Sequence, residues 1–350
     1  MKTLLSIVIV CAVCATAFAE SIPYEFTTTD ISVDGVLRNL RDINDDGMIL
    51  TNTVNQAVIV KSALGKGKLK MTFISCIDAA VDTSATAINN NGEVVGSCSN
   101  PTRSGFASGF VRLRNGRRIL LDYPGADHTI ASGINDNGQI VGHYWNPLDG
   151  RSGLFRIHGF VWDKGKFSTL DFPLPNTYTT LSAINKSGKI IGRYVTFEAP
   201  SNLILAQRWF VYDNGSFLTA DFPESLEYIG GPAFALSDIN ESGQIVVDRT
   251  NGGPEWNGVF IYSAGTFYEV QFPIGWIIPA GEGAGVIIPG SSFGINNKGQ
   301  LVGNYQVQVG IDPFYGSPIY QRHGFVATPT SGEETRATIS IKQPVSIQPR

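Results

Sequence analysis

Six copies of one short phrase, Ile-Asn-x-x-Gly, organise this chain. They stand at Ile43 to Gly47, Ile88 to Gly92, Ile134 to Gly138, Ile184 to Gly188, Ile239 to Gly243 and Ile295 to Gly299. Successive starts lie 45, 46, 50, 55 and 56 residues apart. Self-similarity at such a period marks a repeat architecture, in which each unit buries its apolar face only against its neighbours.

The third repeat is the most regular. Ile130 to Ile134 is a short apolar run, and Asn135-Asp136-Asn137-Gly138 turns the chain into a second strand, Gln139 to Trp145. His158 to Trp162 is a third strand, Asp163-Lys164-Gly165-Lys166 a second turn, and Phe167 to Asp171 a fourth strand. The turns have a mechanism: Asn opens a type I turn through its side chain, and Gly takes the left-handed position that closes a hairpin. The second turn recurs at Asn115-Gly116, Asn214-Gly215 and Ala264-Gly265, and the strand before it recurs with Phe110, Phe160, Phe210 and Phe260 evenly spaced. Each repeat therefore reads as a four-stranded antiparallel meander.

Four-stranded units of this length are the blades of a β-propeller. A β-solenoid is the runner-up, with shorter coils and no paired hairpin turns, and an open stack of sheets is a third reading. Counting strands supports closure. The sixth repeat runs out after its third strand, Arg322 to Ala327, while Ile22 to Ile31, with Phe26 and Asp30, resembles a repeat's fourth strand. The expected fold is all-β: a six-bladed propeller closed when the N-terminal strand completes the last blade, which removes exposed edges.

Residues 1–19 read as a secretory signal peptide: Lys2, an apolar run Leu4 to Val13, and Ala17-Phe18-Ala19 as a cleavage site. That run is too short for a permanent transmembrane helix. A lipoprotein signal is the alternative, though neither Cys11 nor Cys14 sits in the order it needs. The expected organisation is signal peptide 1–19, repeat domain 20–328 and a polar tail 329–350. Export, to the periplasm or beyond the cell, would leave Cys76 and Cys98, either as a disulfide or as two buried thiols. Charged residues are only 16% while Gly numbers 39 and aromatics reach 11%, a profile that suits a turn-rich β protein. The net charge of −4 falls by one when Lys2 leaves, and no basic stripe appears, which argues against nucleic acid. The cluster Arg112, Arg114, Arg117 and Arg118 surrounds one tight turn and reads as a solvated hairpin tip.

The residues resemble the extracellular HAF repeat family, marked by Ile-Asn-x-x-Gly-x-Ile-Val-Gly-x-Tyr, then His-Gly-Phe-Val, then Leu-Asp-x-Pro-Gly. This chain carries Ile134 to Tyr144, His158 to Val161, Leu121-Asp122-Tyr123-Pro124-Gly125 and a second His323-Gly324-Phe325-Val326. The likeness covers about residues 40 to 328. The first repeat lacks His-Gly-Phe, the fourth reads Arg208-Trp209-Phe210 and the fifth ends Val247-Asp248-Arg249. The resemblance implies an exported bacterial-type repeat protein and brings no catalytic residues with it.

Function must then be sought by face. The short turns all fall on one side of the ring by alternation, and the longer connections, Ser99 to Ala107, Asn146 to Arg156, Thr196 to Ala206, Val309 to Tyr320 and Pro273 to Ser291, on the other. Binding residues favour variable loops on a rigid scaffold, and aromatics there suit sugar rings or apolar partner surfaces. The candidates for ligand binding are Trp145, Phe197, Trp276, Phe314 and Tyr315. Tyr144, Tyr194 and Tyr305 recur at a fixed motif position and read as core.

No catalytic, metal or cofactor site is expected. Asp42-Ile43-Asn44-Asp45-Asp46-Gly47 has too few carboxylates for calcium, which wants six to eight oxygens, and Ile184 to Gly188 has none. His128, His143 and His158 lack ligand spacing. Asp122, Asp171 and Asp221 recur on the outermost strand, where capping a turn is the simpler role. No nucleophile elbow or phosphate loop is present. The reading is a secreted, non-enzymatic binding scaffold whose partner is a glycan or a surface protein, with no membrane insertion. The alternative is a propeller-type polysaccharide hydrolase or lyase, whose acidic groups would come from Asp149, Glu198, Glu282 and Asp312.

Overall fold

The computed structural model describes residues 20–22, 24–28, 31–33, 36–53, 55–61, 70–77, 82–99, 105–147, 155–198, 203–220, 234–249, 258–270, 288–289, 294–311, 314 and 316–330. The signal-peptide reading, Trp276, Tyr315 and the tail from residue 331 lie outside them.

Each repeat forms a four-stranded antiparallel blade, and six blades make a propeller. Blade 1 is Leu40–Ile43, Met48–Asn52, Ala57–Lys61 and Lys70–Ile74. Blade 2 is Thr83–Ile88, Val94–Ser99, Ala107–Arg112 and Arg118–Leu121. Blade 3 is His128–Ile134, Ile140–Pro147, Phe155–Asp163 and Lys166–Thr169. Blade 4 is Thr177–Ile184, Ile190–Glu198, Leu203–Asp213 and Ser216–Ala220. Blade 5 is Phe234–Ile239, Ile245–Arg249, Gly258–Ser263 and Thr266–Val270.

Blade 6 draws on both ends of the chain. Gly294–Ile295, Leu301–Ile311 and Pro318–Pro329 come from the C-terminal side, and Tyr24–Thr28 pairs antiparallel with the last of them as the outermost strand. The N-terminal strand thus closes the ring as the strand count predicts. A further segment, Glu20–Ile22, adds a fifth, parallel strand to blade 5. The chain therefore staples two blades before it enters the first.

The turns follow the repeat. All six motif glycines adopt positive φ, from +70 at Gly47 to +86 at Gly188, which only Gly adopts without strain. The second turn of blades 3, 4 and 5 places two residues at positive φ, Lys164-Gly165, Asn214-Gly215 and Ala264-Gly265, the type I′ geometry that matches strand twist.

The apolar core lies between blades, not within them. Six buried clusters occupy the six seams. Leu50, Ile59 and Cys76 of blade 1 meet Ala85, Val94 and Phe110 of blade 2, and Val302 and Val326 of blade 6 meet Leu40, Ile49 and Val58 of blade 1. Phe110, Phe160, Phe210 and Phe325, on the third strands of blades 2, 3, 4 and 6, are fully buried. A disulfide, Cys76–Cys98, crosses the first seam. It resolves the two alternatives left open by the sequence.

Two motif glycines make room for this packing. A Cβ on Gly142 would lie 2.0 Å from the Ile130 carbonyl oxygen and 2.9 Å from the Phe160 ring. On Gly192 it would lie 2.6 Å from the Phe210 ring. The Val-Gly-x-Tyr and His-Gly-Phe pieces of one repeat are thus a single packing unit.

Candidate functional site

The first strands of all six blades line an axial cavity of about 90 Å³. At its short-turn end the six motif asparagines form a closed ring. Asn44 Nδ2 donates to the Asn89 carbonyl, Asn89 to Asn135, Asn135 to Asn185, Asn185 to Asn240, Asn240 to Asn296 and Asn296 back to Asn44, at 2.9 to 3.2 Å. The same side chains cap their own turns, as Asn135 Oδ1 accepts the Gln139 N–H at 2.9 Å. The sequence reading saw only this second role. The unspent amide of a turn asparagine is the signal that pointed beyond it.

A second ring lies one residue on. The side chains of Asn90, Asp136, Glu241, Asn297 and Asp45 accept the backbone N–H of Asp45, Asn90, Lys186, Glu241 and Asn297 respectively. Lys186 has no acceptor to offer Asp136, and the blade 3 to blade 4 step is bridged by Asn137 Nδ2 donating to the Lys186 carbonyl at 2.9 Å.

Toward the other end, each first strand of blades 1 to 5 carries a bulge that drops one residue from the ladder: Arg41, Thr86, Ser132, Ser182 and Ser237. A bulge re-aims the extra side chain, and all five residues line the cavity. Beside them stand two carboxyls that the sequence reading did not single out as an axial pair, the buried Asp42 and the half-buried Asp238. Asp42 accepts the N–H of Ile43 and Ile88 at 2.7 and 2.8 Å. Asp238 accepts those of Ile239 and Ile295, both at 2.8 Å. Burial pushes the Asp42 carboxyl well above the usual range, with repulsion from Asp238 adding to it. Burial likewise pushes Asp238 up to about 7, against its two backbone donors. One oxygen of each group accepts from the next residue of its own strand and the other from a backbone amide of a neighbouring blade, so these carboxyls are staples of the ring.

Of the recurring outer aspartates, Asp171 joins strands rather than capping a turn, Asp122 is exposed, and Asp221 lies outside the described residues. Asp171 Oδ2 lies 2.6 Å from His158 Nδ1, and its Oδ1 accepts the Gly159 N–H at 3.0 Å. That contact links the His-Gly-Phe and Leu-Asp-x-Pro pieces of the third repeat. The aromatic residue of Leu-Asp-x-Pro stacks on the motif tyrosine of the next blade, Tyr123 on Tyr144 at 3.6 Å and Phe172 on Tyr194 at 3.7 Å. Tyr194 and Tyr305 are buried, as the core reading of the motif tyrosines expects.

The histidines do separate things. His128 stacks on Trp145 at 4.4 Å and accepts the Ala107 N–H, His158 holds Asp171, and burial, reinforced by Arg193, lowers His143 to about 4. Among the described residues no three potential metal ligands cluster.

The long connections of blades 3, 4 and 6 differ from the loops expected of them. Their described ends are strand: the ladder continues to Pro147↔Phe155, Glu198↔Leu203 and Ile311↔Pro318. The resulting hairpins carry the exposed apolar side chains of this face: Ile204, Leu205, Ile311, Ile319 and Phe314, the last 89% exposed.

Of the five sequence-stated ligand residues, three are described. Trp145 is half-buried in its stack with His128, and Phe314 stands at the tip of the blade 6 hairpin. Phe197 lies in a groove of about 230 Å³ at the long-loop end of blade 4, with Ile157, Tyr178, Arg193, Ile204 and Gln207. Its ring is 4.1 Å from that of Tyr178. The structure does not bring Trp145, Phe197 and Phe314 together in one pocket; they belong to three different blades.

No family model and no curated protein matches the chain. Solved structures similar in fold include a catalytically inactive variant of virginiamycin B lyase from Staphylococcus aureus with quinupristin, at 13% identity and TM-score 0.45, covering 87% of this chain and 100% of that one. AofleA from Arthrobotrys oligospora is 11% identical at TM-score 0.45, covering 88% and 94%. The Xanthomonas campestris gluconolactonase XC5397 is 11% identical at TM-score 0.41, covering 91% and 100%. These likenesses concern the propeller alone and carry no argument about site or ligand.

Proposed function

We propose that the chain is an exported, non-enzymatic binding scaffold that presents its long-loop face to a glycan. The observation that carries this reading is the concentration of exposed apolar and aromatic side chains on the extended hairpins of blades 4 and 6. Side chains of this kind, beside polar groups on a rigid scaffold, suit the flat faces of sugar rings. The recurring motif residues support it from the other side. The asparagines and the motif tyrosines, with Asp42 and Asp238 beside them, are spent on holding blades together and Asp171 on joining strands within one, which leaves the variable hairpins for recognition. Export agrees with the Cys76–Cys98 disulfide and with the apolar N-terminal run, and the resemblance to HAF repeats points the same way.

A surface protein is the second ligand class, and a polysaccharide hydrolase or lyase is the rival. The enzyme needs at least two acidic groups in one pocket of this face. Glu198, exposed at the end of its strand, is the one described residue of the four candidates; Asp149, Glu282 and Asp312 lie outside the described residues. A glycan and polysaccharide array, with and without calcium, tests the reading. Saturable binding to one glycan class, weakened in Leu205→Ser or Phe314→Ser, is expected. Product release during incubation would establish the rival, and a clean null in both conditions would remove the glycan reading.

A further inference from the structure

The groove of blade 4 carries a positive charge for which the described part of the protein supplies no counter-ion. Arg193 Nη1 donates to Gln207 Oε1 at 3.3 Å, a neutral partner. No carboxylate forms an ion pair with Arg193 among the described residues, and none lines the groove with it. Arg193 is open to solvent along its surface, yet enough protein surrounds it that burial lowers its pKa. Arg193 also acts on His143, helping to push it toward the neutral form. A partly desolvated guanidinium with donors to spare, in a chain of net charge −4, is complementary to an anion with two coplanar oxygens.

The rest of the groove has a different chemistry. Tyr178 and Phe197 form an aromatic wall, Ile157, Val195 and Ile204 an apolar one, and Thr180 and Gln207 add polar groups. A cavity of about 230 Å³ is below the ~300–1,000 Å³ of drug-sized ligand sites. It suits one six-membered ring with a small substituent. Two groups of the wall come from the first strand of blade 4 (Tyr178, Thr180) and three from its second (Arg193, Val195, Phe197), so the geometry is held by paired backbone.

We propose that this groove is a subsite for a single carboxylate-bearing sugar ring, its apolar face against Tyr178 and Phe197 and its carboxylate on Arg193. The inference rests on the glycan reading above and narrows it to acidic glycans. A carboxylate on a peptide would offer the same charge without the ring, and the test separates the two.

The experiment is calorimetric and NMR-detected titration of the full processed chain with oligomers of glucuronate or galacturonate. Neutral oligomers of the same length, free acetate and an acidic hexapeptide are run alongside. Uronate oligomers are expected to bind at least tenfold tighter than neutral ones, with affinity falling as salt rises. Arg193→Gln is expected to abolish that discrimination, Phe197→Ala to weaken both about tenfold, and Leu218→Ala, on the outer strand of the same blade, to change neither. Ile204→Asp sets a negative charge at the groove's exposed rim without touching the core, and should repel uronates even if Arg193→Gln folds poorly. Equal affinity for uronate and neutral oligomers overturns the proposal but leaves the glycan reading standing. So does uronate binding that survives Arg193→Gln and Ile204→Asp. Equal or tighter binding of the peptide reassigns the groove to a protein partner, and absence of any oligomer binding removes both readings.

Discussion

The asparagine ring predicts that one substitution, Asn135→Asp, is more harmful than its conservatism suggests. Asn135 uses Oδ1 to accept from Gln139 and Asn137 within its own turn, at 2.9 and 3.1 Å, and Nδ2 to reach the Asn185 carbonyl at 2.9 Å. Aspartate keeps the first role and loses the second. It would also set a carboxylate against a carbonyl at a position only 3% exposed. The Asn185 carbonyl retains the Gly188 N–H as a partner, so its loss is partial, about 1 kcal/mol. The buried charge adds more, and the total at pH 7 is about 3 kcal/mol. Asn135→Ala removes both roles, leaves the Gln139 N–H unpaired and should cost about 2–3 kcal/mol. Urea unfolding followed by tryptophan fluorescence at pH 7 and pH 4 measures both, with exposed Lys166→Ala as a control within about 0.5 kcal/mol. Protonation of the introduced carboxyl should relieve part of the aspartate's cost at pH 4. If Asn135→Asp matches the Lys166→Ala control at pH 7, the turn alone matters and the inter-blade ring contributes nothing.

Three other outcomes follow from the same structure. Ala264 is held at φ +49 where the equivalent turn of blade 4 has Asn214, so Ala264→Asn should raise stability by about 0.5–1 kcal/mol in the same assay. Asp248 is fully buried with neither oxygen partnered among the described residues, and burial pushes it up to about 8. Its folded pKa is thus raised, so the native state holds a proton that the unfolded chain releases near pH 4, and stability falls as pH rises from about 4 to 8, with Asp238 acting in the same sense. At the equivalent positions Asn52 and Asn304 each clasp both backbone groups of one residue of the next blade, Ala85 and Leu40. Asp248→Asn should therefore stabilise by about 1–3 kcal/mol at pH 8 and little at pH 4; an unchanged pH profile would refute this. Reducing Cys76–Cys98, which spans 22 residues, should lower stability by about 3 kcal/mol, as should Cys98→Ser, and a midpoint unmoved by reductant would show the bridge to be idle.

Periodicity and turn chemistry made the blades legible, because both are local. Ile-Asn-x-x-Gly dictates a strand, a turn and a glycine at positive φ within five residues, and six copies impose six equal units. Even the closure was countable, since the last repeat lacks one strand and the first segment offers one. The site was less legible. Phe197 was reached from its position in a long connection, but the groove around it needs Ile157, Tyr178, Arg193 and Ile204, which lie on four strands of two blades. Asp42 and Asp238 were hidden for a similar reason. The same position holds Ala87, Gly133, Ala183 and Gly294 in the other repeats, so no recurrence marks it.

What the chain alone determined is its unit: the strand lengths, the two turns, the phenylalanine that recurs on most third strands and the number of copies. Only the closed ring decided what those residues do to one another. The amide of Asn296 finds Asn44 across 252 residues of sequence, the cysteines meet across a seam, and a bulge turns Arg41 and three serines toward an axis that exists only when six blades surround it. Local sequence acts through short-range sterics and hydrogen bonds, whereas each of these contacts depends on the angle between neighbouring sheets, which packing of the whole ring sets.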